Sequence, residues 1–154
     1  MEIIPLLARE NATGKERNSK LWNQFLQLIE ILRNKNLPEE MIGFLNDQIQ
    51  ELNEYPCGTV DFYKLVKKKQ TLILRKLEKD LKMVPKNHYM SLWLALGMSV
   101  FGVPFGISLG SIFDNMGMLG VGLPIGIAIG IALGFGLDKK AKTDGKQLDI
   151  EVKY

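Results

Sequence analysis

The chain has 154 residues, 24% of them charged, with a formal net charge of +3 and a single cysteine, Cys57. One cysteine excludes an intramolecular disulfide and a thiolate metal cage. The average composition hides two unlike parts, because residues 91–137 carry 11 of the 15 glycines and only one charge, Asp114. A stretch so poor in charge is not expected of a soluble domain, since even core helices keep one polar face.

Residues 1–14 are predicted to form an irregular or loosely docked leader. Its apolar run lacks the features of a secretory signal, because it is short, contains Pro5 and follows Glu2. From Leu21 to Leu32, apolar residues then recur at steps of three and four. This spacing predicts a first amphipathic helix, with Ser19 as its N-cap and an end near residues 34–36.

Two more helices are predicted before the charge-poor stretch. Pro38 suits the first turn of the second helix, which the turn cluster at residues 55–58 ends. Its buried face is predicted to comprise Met41, Ile42, Leu45, Ile49 and Leu52. The third helix is expected from residue 59 or 61 to about Val84. The three helices predict a small bundle over residues 15–86. A coiled-coil stem is the alternative for the third helix, but Lys68 and Lys69 interrupt its apolar stripe.

The charge-poor stretch predicts a transmembrane helical hairpin over residues 87–137. It holds two uncharged runs, of 22 residues from Leu92 to Phe113 and of 23 from Asn115 to Leu137. Each exceeds the roughly 20 residues that cross a bilayer core as a helix. We therefore expect spans at about 92–113 and 117–137, an outer turn at Asp114, and a charged tail over 138–154. The predicted fold class is all-α, with a three-helix domain followed by the hairpin.

Lysines flank both spans but are absent from the turn between them. By the positive-inside rule this predicts a multi-pass protein of the cell (inner) membrane with both termini cytoplasmic. Six of these lysines are predicted to contact anionic lipid headgroups, namely Lys76, Lys79, Lys82, Lys86, Lys139 and Lys140. A solvated basic face is an equally weighted interpretation. Nucleic acid is not expected as a partner, because no aromatic or arginine base-reading groups accompany the lysines.

The two spans repeat the pattern Gly-x-Pro-x-Gly-x-small-x-Gly at an offset of 20 residues. Glycines four residues apart lie along one helix face and allow close backbone packing between helices in lipid. The predicted helix-packing residues are Gly102, Gly106, Gly110, Gly122, Gly126, Gly130 and Gly134. Pro104 and Pro124 are predicted to kink their helices, because each removes a backbone donor. The alternating large and small residues after Ile125 also fit a strand, which the length of the segment disfavours.

The second span carries further small residues, Gly120, Ala128, Ala132 and Gly136, on roughly the opposite face. One small face can pack on the first span, so the other needs a second partner. We hypothesise a homo-oligomer in which the second span lies between its own first span and a neighbouring subunit. The alternative is that the second small face contacts lipid.

Glycine-rich motifs lie at residues 97–106 and 122–130, and Asp-Lys-Lys-Ala follows at 138–141. In these motifs the hairpin resembles bacterial glycine-zipper two-helix membrane proteins, and the resemblance covers about residues 84–148. That family has no established activity, so the resemblance implies an architecture and no reaction.

No arrangement of residues with the spacing of a catalytic, cofactor or metal site occurs in the sequence, so an enzyme or a bound cofactor is not expected. The only histidine, His88, is interpreted as an interfacial polar residue rather than a pH switch. The leading hypothesis is a self-associating membrane scaffold or anchor whose helical domain recruits a cytoplasmic protein partner. The alternatives are an oligomeric pore or membrane-permeabilising effector, and a plain tether.

Overall fold

The computed structural model describes residues 2–7, 16–56 and 60–152. The fold is helical, as predicted, and divides into two compact units. The first unit, called the helical domain, comprises the described residues of 1–82 together with those of 148–154. The second, called the hairpin unit, comprises Met83–Gln147. The predicted boundary between domain and hairpin at residues 86 and 87 lies four residues after the boundary between the units.

The helical domain contains α1 (Glu16–Arg33), α2 (Glu39–Glu54) and α3 (Val60–Lys76). Helix α1 already includes Glu16, so the prediction that Ser19 caps it is wrong. The apolar stripe that located the start begins only at Leu21, and a polar first turn leaves no such signal. The cluster predicted to end α2 lies partly outside the described residues, but the helix does stop before Tyr55.

The core of the helical domain consists of the apolar stripes read from the sequence. Pro38 precedes α2, and its carbonyl accepts hydrogen bonds from the amides of Met41 and Ile42. Ile42 is only half-buried, which corrects the predicted buried face of α2, whereas Gln48, which was not predicted to lie on that face, is buried. The largest fully buried side chains of this unit include Phe25, Leu28, Leu32, Leu45, Ile49, Leu52, Phe62, Val66, Ile73 and Leu77.

Helix α3 continues as a π-helical turn over Leu77–Leu81 and ends at Lys82, short of the predicted end at Val84. Lys82 adopts a left-handed conformation with φ of 56°, and its amide donates to the carbonyl of Glu78. Such a residue closes the last turn of a helix and redirects the chain. A short strand, β1 (Val84–Pro85), follows in the chain, and a second, β2 (Gln147–Leu148), comes only after the last helix.

The hairpin unit begins with one continuous helical run. It consists of α4 (His88–Leu96), a π-helical segment (Gly97–Gly102) and α5 (Val103–Ile112). After a short 3₁₀ turn at Met116–Met118, α6 runs back over Leu119–Thr143. Two stretches, at residues 88–112 and 120–143, are long and apolar enough to cross a membrane. Only 17% and 22% of their apolar windows are buried, whereas the core helix of a soluble protein is mostly buried.

The turn between the helices uses the residues that the sequence singled out. Asp114 adopts a left-handed conformation with φ of 48°. The amide of Asn115 donates to the carbonyl of Gly110 at 3.0 Å, which is the six-to-one bond of a Schellman motif. The Asn115 side chain then accepts a hydrogen bond from the amide of Gly117 at 2.9 Å. A short acid and an amide therefore terminate α5 and reverse the chain.

Helix α6 extends six residues beyond the predicted end of the second span at Leu137. It stops in a second Schellman motif, in which Gly145 has φ of 68° and the amide of Lys146 donates to the carbonyl of Ala141 at 2.9 Å. Lysines in this last turn face the negative end of the helix dipole favourably. Part of the segment predicted to be a charged tail is therefore helix.

Candidate functional site

The two long helices of the hairpin unit meet along a row of glycines, which we call the glycine seam. On α6 the seam consists of Gly122, Gly126, Gly130 and Gly134, all of which are buried. These four residues lie one turn apart, so they share a face of the helix. They are the four positions of the second span that the sequence predicted for close packing.

Each seam glycine of α6 contacts backbone atoms of the opposite helix. A Cβ added to Gly122 would lie 2.5 Å from the Cα of Gly106, and one added to Gly126 would lie 2.5 Å from the Cα of Gly102. At Gly134 the nearest atoms include the carbonyl oxygen of Tyr89, at 2.8 Å. Backbone atoms cannot rotate away, so any side chain here forces the helices apart.

On the opposite helix, the predicted Gly102, Gly106 and Gly110 are buried together with Gly97. Sequence reasoning missed Gly97, whose added Cβ would lie 2.8 Å from the Cα of Gly130. On a regular α-helix, the five-residue step from Gly97 to Gly102 turns about 500°. The two glycines would then point about 140° apart and could not share one face. The π-helical segment Gly97–Gly102 adds one residue to the turn and returns Gly97 to the seam. The unequal spacing was the signal that could have found it.

The two prolines occupy different settings. Pro104 follows the π-helical segment directly, where the amide of Val103 donates five residues back to the carbonyl of Met98. A widened turn relieves the clash between a proline ring and the carbonyl four residues before it. Pro124 lies within α6, which continues through it without a break in the helix.

The base of the hairpin is held by a buried carboxylate. Asp138, on α6, is only 6% exposed and accepts hydrogen bonds from the amides of Tyr89 at 3.1 Å and Met90 at 2.9 Å. These are first-turn amides of α4, and Asn87, which precedes α4, supplies no side-chain cap. Asp138 of α6 therefore caps α4 at the positive end of the α4 dipole, in place of the α4 N-cap residue Asn87. The sequence alone predicts that Asp138 belongs to the charged tail.

The second small face of α6 lies outside the seam. A Cβ added to Gly120 or Gly136 would meet no atom within 4 Å. Ala128 and Ala132 are likewise exposed. Within the described residues of the hairpin unit, this face therefore has no close backbone packing of the kind found at the seam.

The lysines predicted to contact lipid headgroups fall into two groups. Lys79, Lys82, Lys86, Lys139 and Lys140 are exposed. Lys76 instead faces α2 and makes ion pairs with Asp80 at 2.9 Å and Glu40 at 3.7 Å. The hydrogen bond that Lys76 donates to the Asp80 carboxylate raises the pKa of Lys76 above its ordinary value. Lys76 is thus engaged within the helical domain.

Comparison with protein-family models, curated proteins and solved structures finds no match to this chain. The resemblance to glycine-zipper two-helix proteins therefore stays a prediction.

Proposed function

We propose that this chain is an integral membrane protein that self-associates through α6 and acts as a scaffold or anchor for a partner of its helical domain. The observation that carries the proposal is the use of the two small faces of α6. One face packs against the first span at the glycine seam, while the face with Ala128 and Ala132 is exposed. Small residues favour helix association in lipid because backbones can approach closely.

Insertion as a hairpin is supported by the apolar surface of the two long helices. Large apolar side chains point outward along both, including Val100, Phe105, Ile112, Phe113 and Phe135, which are between 52% and 73% exposed. An exposed surface of this kind is stable in lipid but not in water. The lysine pattern supports cytoplasmic termini and an outer turn at Asp114 in the cell membrane.

A pore is the second candidate, and the hydroxyls of Ser99 and Ser108 in the first span do not favour it. The hydroxyl of Ser99 donates to the carbonyl of Ala95, and that of Ser108 donates to the carbonyl of Pro104. Both donors are therefore used within their own helix, whereas a conducting lumen requires polar groups that face water or ions. Ion flux through liposomes containing the purified protein would reverse this order of the two candidates.

The oligomer can be tested by counting subunits in lipid. Single-molecule photobleaching of the labelled full chain in native-membrane nanodiscs should show two or more subunits per particle. Replacing Ala128→Leu and Ala132→Leu fills the exposed small face and should reduce most particles to monomers. The glycine seam should persist, because neither residue belongs to it.

Ser108→Leu provides the matched control. It adds a leucine side chain to an exposed position of the first span, away from both small faces of α6. Its subunit count should equal that of the unmodified chain. Monomers throughout for the unmodified chain, or equal effects of the alanine and serine substitutions, would contradict self-association through this face.

A further inference from the structure

The leader segment, residues 2–7, is held on α2 through its backbone. The side chain of Asn46 accepts a hydrogen bond from the amide of Ile4 at 2.9 Å and donates one to the carbonyl of Glu2 at 3.0 Å. Asn53 repeats the arrangement, accepting from the amide of Leu7 at 3.1 Å and donating to the carbonyl of Pro5 at 3.1 Å. Each asparagine thus binds one amide and one carbonyl, two residues apart, of the leader.

The spacing of the two asparagines matches an extended chain. Seven helical residues rise about 10.5 Å, and the three residues from Ile4 to Leu7 span about 10–11 Å when extended. Residues seven apart also share one helix face. The helix therefore presents a regular pair of binding positions that only an extended segment can satisfy.

Proline is accommodated at a position where the groove needs no donor. Pro5 contributes only its carbonyl, to Asn53. A proline also restricts the residue before it, here Ile4, to extended conformations. From α1, Arg33 donates to the carbonyl of Ile4 at 2.8 Å, so the leader lies in a groove between α1 and α2.

The leader fills this groove incompletely. Ile3, Ile4 and Leu6 are half-buried, and Leu7 is 56% exposed. A cavity of about 500 Å³ adjoins the leader, and its lining is mixed, with Leu37 and Ile42 beside the polar side chains of Arg33, Lys35 and Asn36. The leader is thus held mainly through backbone hydrogen bonds, which other sequences can also make, and space beside these bonds is unfilled.

We propose that the groove between α1 and α2 binds an extended polypeptide segment rich in aliphatic residues around a proline, and that the leader occupies it as an internal competitor. A partner protein docks by displacing residues 2–7. The inference rests on the proposed role of the helical domain in recruiting a partner. The groove recognises an unstructured segment, because the side-chain amides of Asn46 and Asn53 bind backbone groups that have no hydrogen-bond partners within their own segment.

Peptide binding to the full chain in nanodiscs tests the proposal. The probe is a fluorescein-labelled peptide with the sequence of residues 2–7. The double substitution Ile4→Pro and Leu7→Pro removes both amides that the leader donates, and so vacates the groove without altering it. This chain should bind the probe at least tenfold more tightly than the unmodified chain, in which the tethered leader competes.

Two changes in the groove complete the experiment. Adding Asn46→Ala and Asn53→Ala to the vacated chain should weaken probe binding about 30-fold or more, since four hydrogen bonds are lost. Gln50→Ala, an exposed position between them on α2, should leave binding unchanged. Absence of probe binding by the vacated chain, or binding that is indifferent to the two asparagines, would overturn the proposal.

Amide hydrogen exchange tests the same contacts without vacating the groove. In the unmodified chain, the amides of Ile4 and Leu7 should exchange at least tenfold more slowly than that of Leu6. Asn46→Ala should release Ile4 alone, and Asn53→Ala should release Leu7 alone; uniform exchange rates would contradict the groove. The photobleaching count reports on α6 separately, so failure of the groove and failure of self-association are distinguishable.

Discussion

Gly126→Ala probes the glycine seam near its middle, where the added Cβ meets two glycines of the opposite helix. The added Cβ would lie 2.5 Å from both the amide nitrogen and the Cα of Gly102 and would also overlap the carbonyl oxygen of Gly97. All three are backbone atoms, so no rotamer change can relieve the overlap. To reach ordinary contact at about 3.4 Å, the helices must separate locally by about 0.9 Å.

The size of the effect follows from that separation. A gap of 0.5–1 Å forfeits about a quarter to a half of the dispersion energy between facing atoms. Overpacking of this kind typically costs about 1–3 kcal/mol. Alanine also favours a helix over glycine by about 1 kcal/mol, which partly offsets the loss. Gly136→Ala is the matched control, because its Cβ meets nothing within 4 Å and only the favourable term applies.

The propensity gain is common to both variants, so they should differ by the overpacking cost alone, about 1–3 kcal/mol in the free energy of unfolding of the hairpin. This is measured by titrating SDS into mixed micelles at a low protein-to-detergent ratio, which keeps the chain monomeric. Spin labels at positions 99 and 129, in a Cys57→Ser background, should report a longer distance in Gly126→Ala only. A difference below about 0.5 kcal/mol, with unchanged distances, would refute backbone packing at the seam.

Other substitutions test the cap, the π-helical turn and the helical domain. Asp138→Ala should destabilise the hairpin by about 2 kcal/mol in the same SDS titration, whereas Asp138→Asn, which keeps an acceptor, should lose about half as much. Gly97→Ala should behave like Gly126→Ala, although Gly97 lies outside the four-residue repeat. A Gly97→Ala variant as stable as wild type would contradict its place in the seam. Lys69 is 7% exposed and bonds to Gln48 and Glu51; Lys69→Ala should lower the stability of the helical domain by about 1–3 kcal/mol, measured by urea unfolding.

Much of the hairpin follows from the sequence, because its signals are local. The absence of charge along residues 91–137 locates two long apolar helices, and Asp114 with Asn115 marks the turn between them. The four-residue spacing of Gly122, Gly126, Gly130 and Gly134 defines a face before any partner is known. The same holds for the apolar stripes of α1 and α2, whose side chains form the core of the helical domain.

Three features depended on tertiary structure, namely the place of Gly97 in the seam, the cap by Asp138 and the docking of residues 2–7. Gly97 joins the seam only because the turn before Pro104 widens to a π-helix. This turn allows Gly97 to pack against Gly130 and accommodates the proline ring. Asp138 follows an apolar helix and precedes lysines, so the sequence assigned it to a solvated tail. Its partners, the amides of α4, lie 48 and 49 residues away.

The leader shows the same limit most clearly. The sequence of residues 2–7 does not predict Asn46 and Asn53 as partners. Both asparagines bind backbone groups, and such binding leaves no pattern in the side chains of the bound segment. The sequence by itself determined which segments are helical and which faces are apolar or small, since these depend on neighbours three or four residues away. Only the tertiary structure decided which distant backbone groups those faces contact, since these contacts depend on how the helices are arranged.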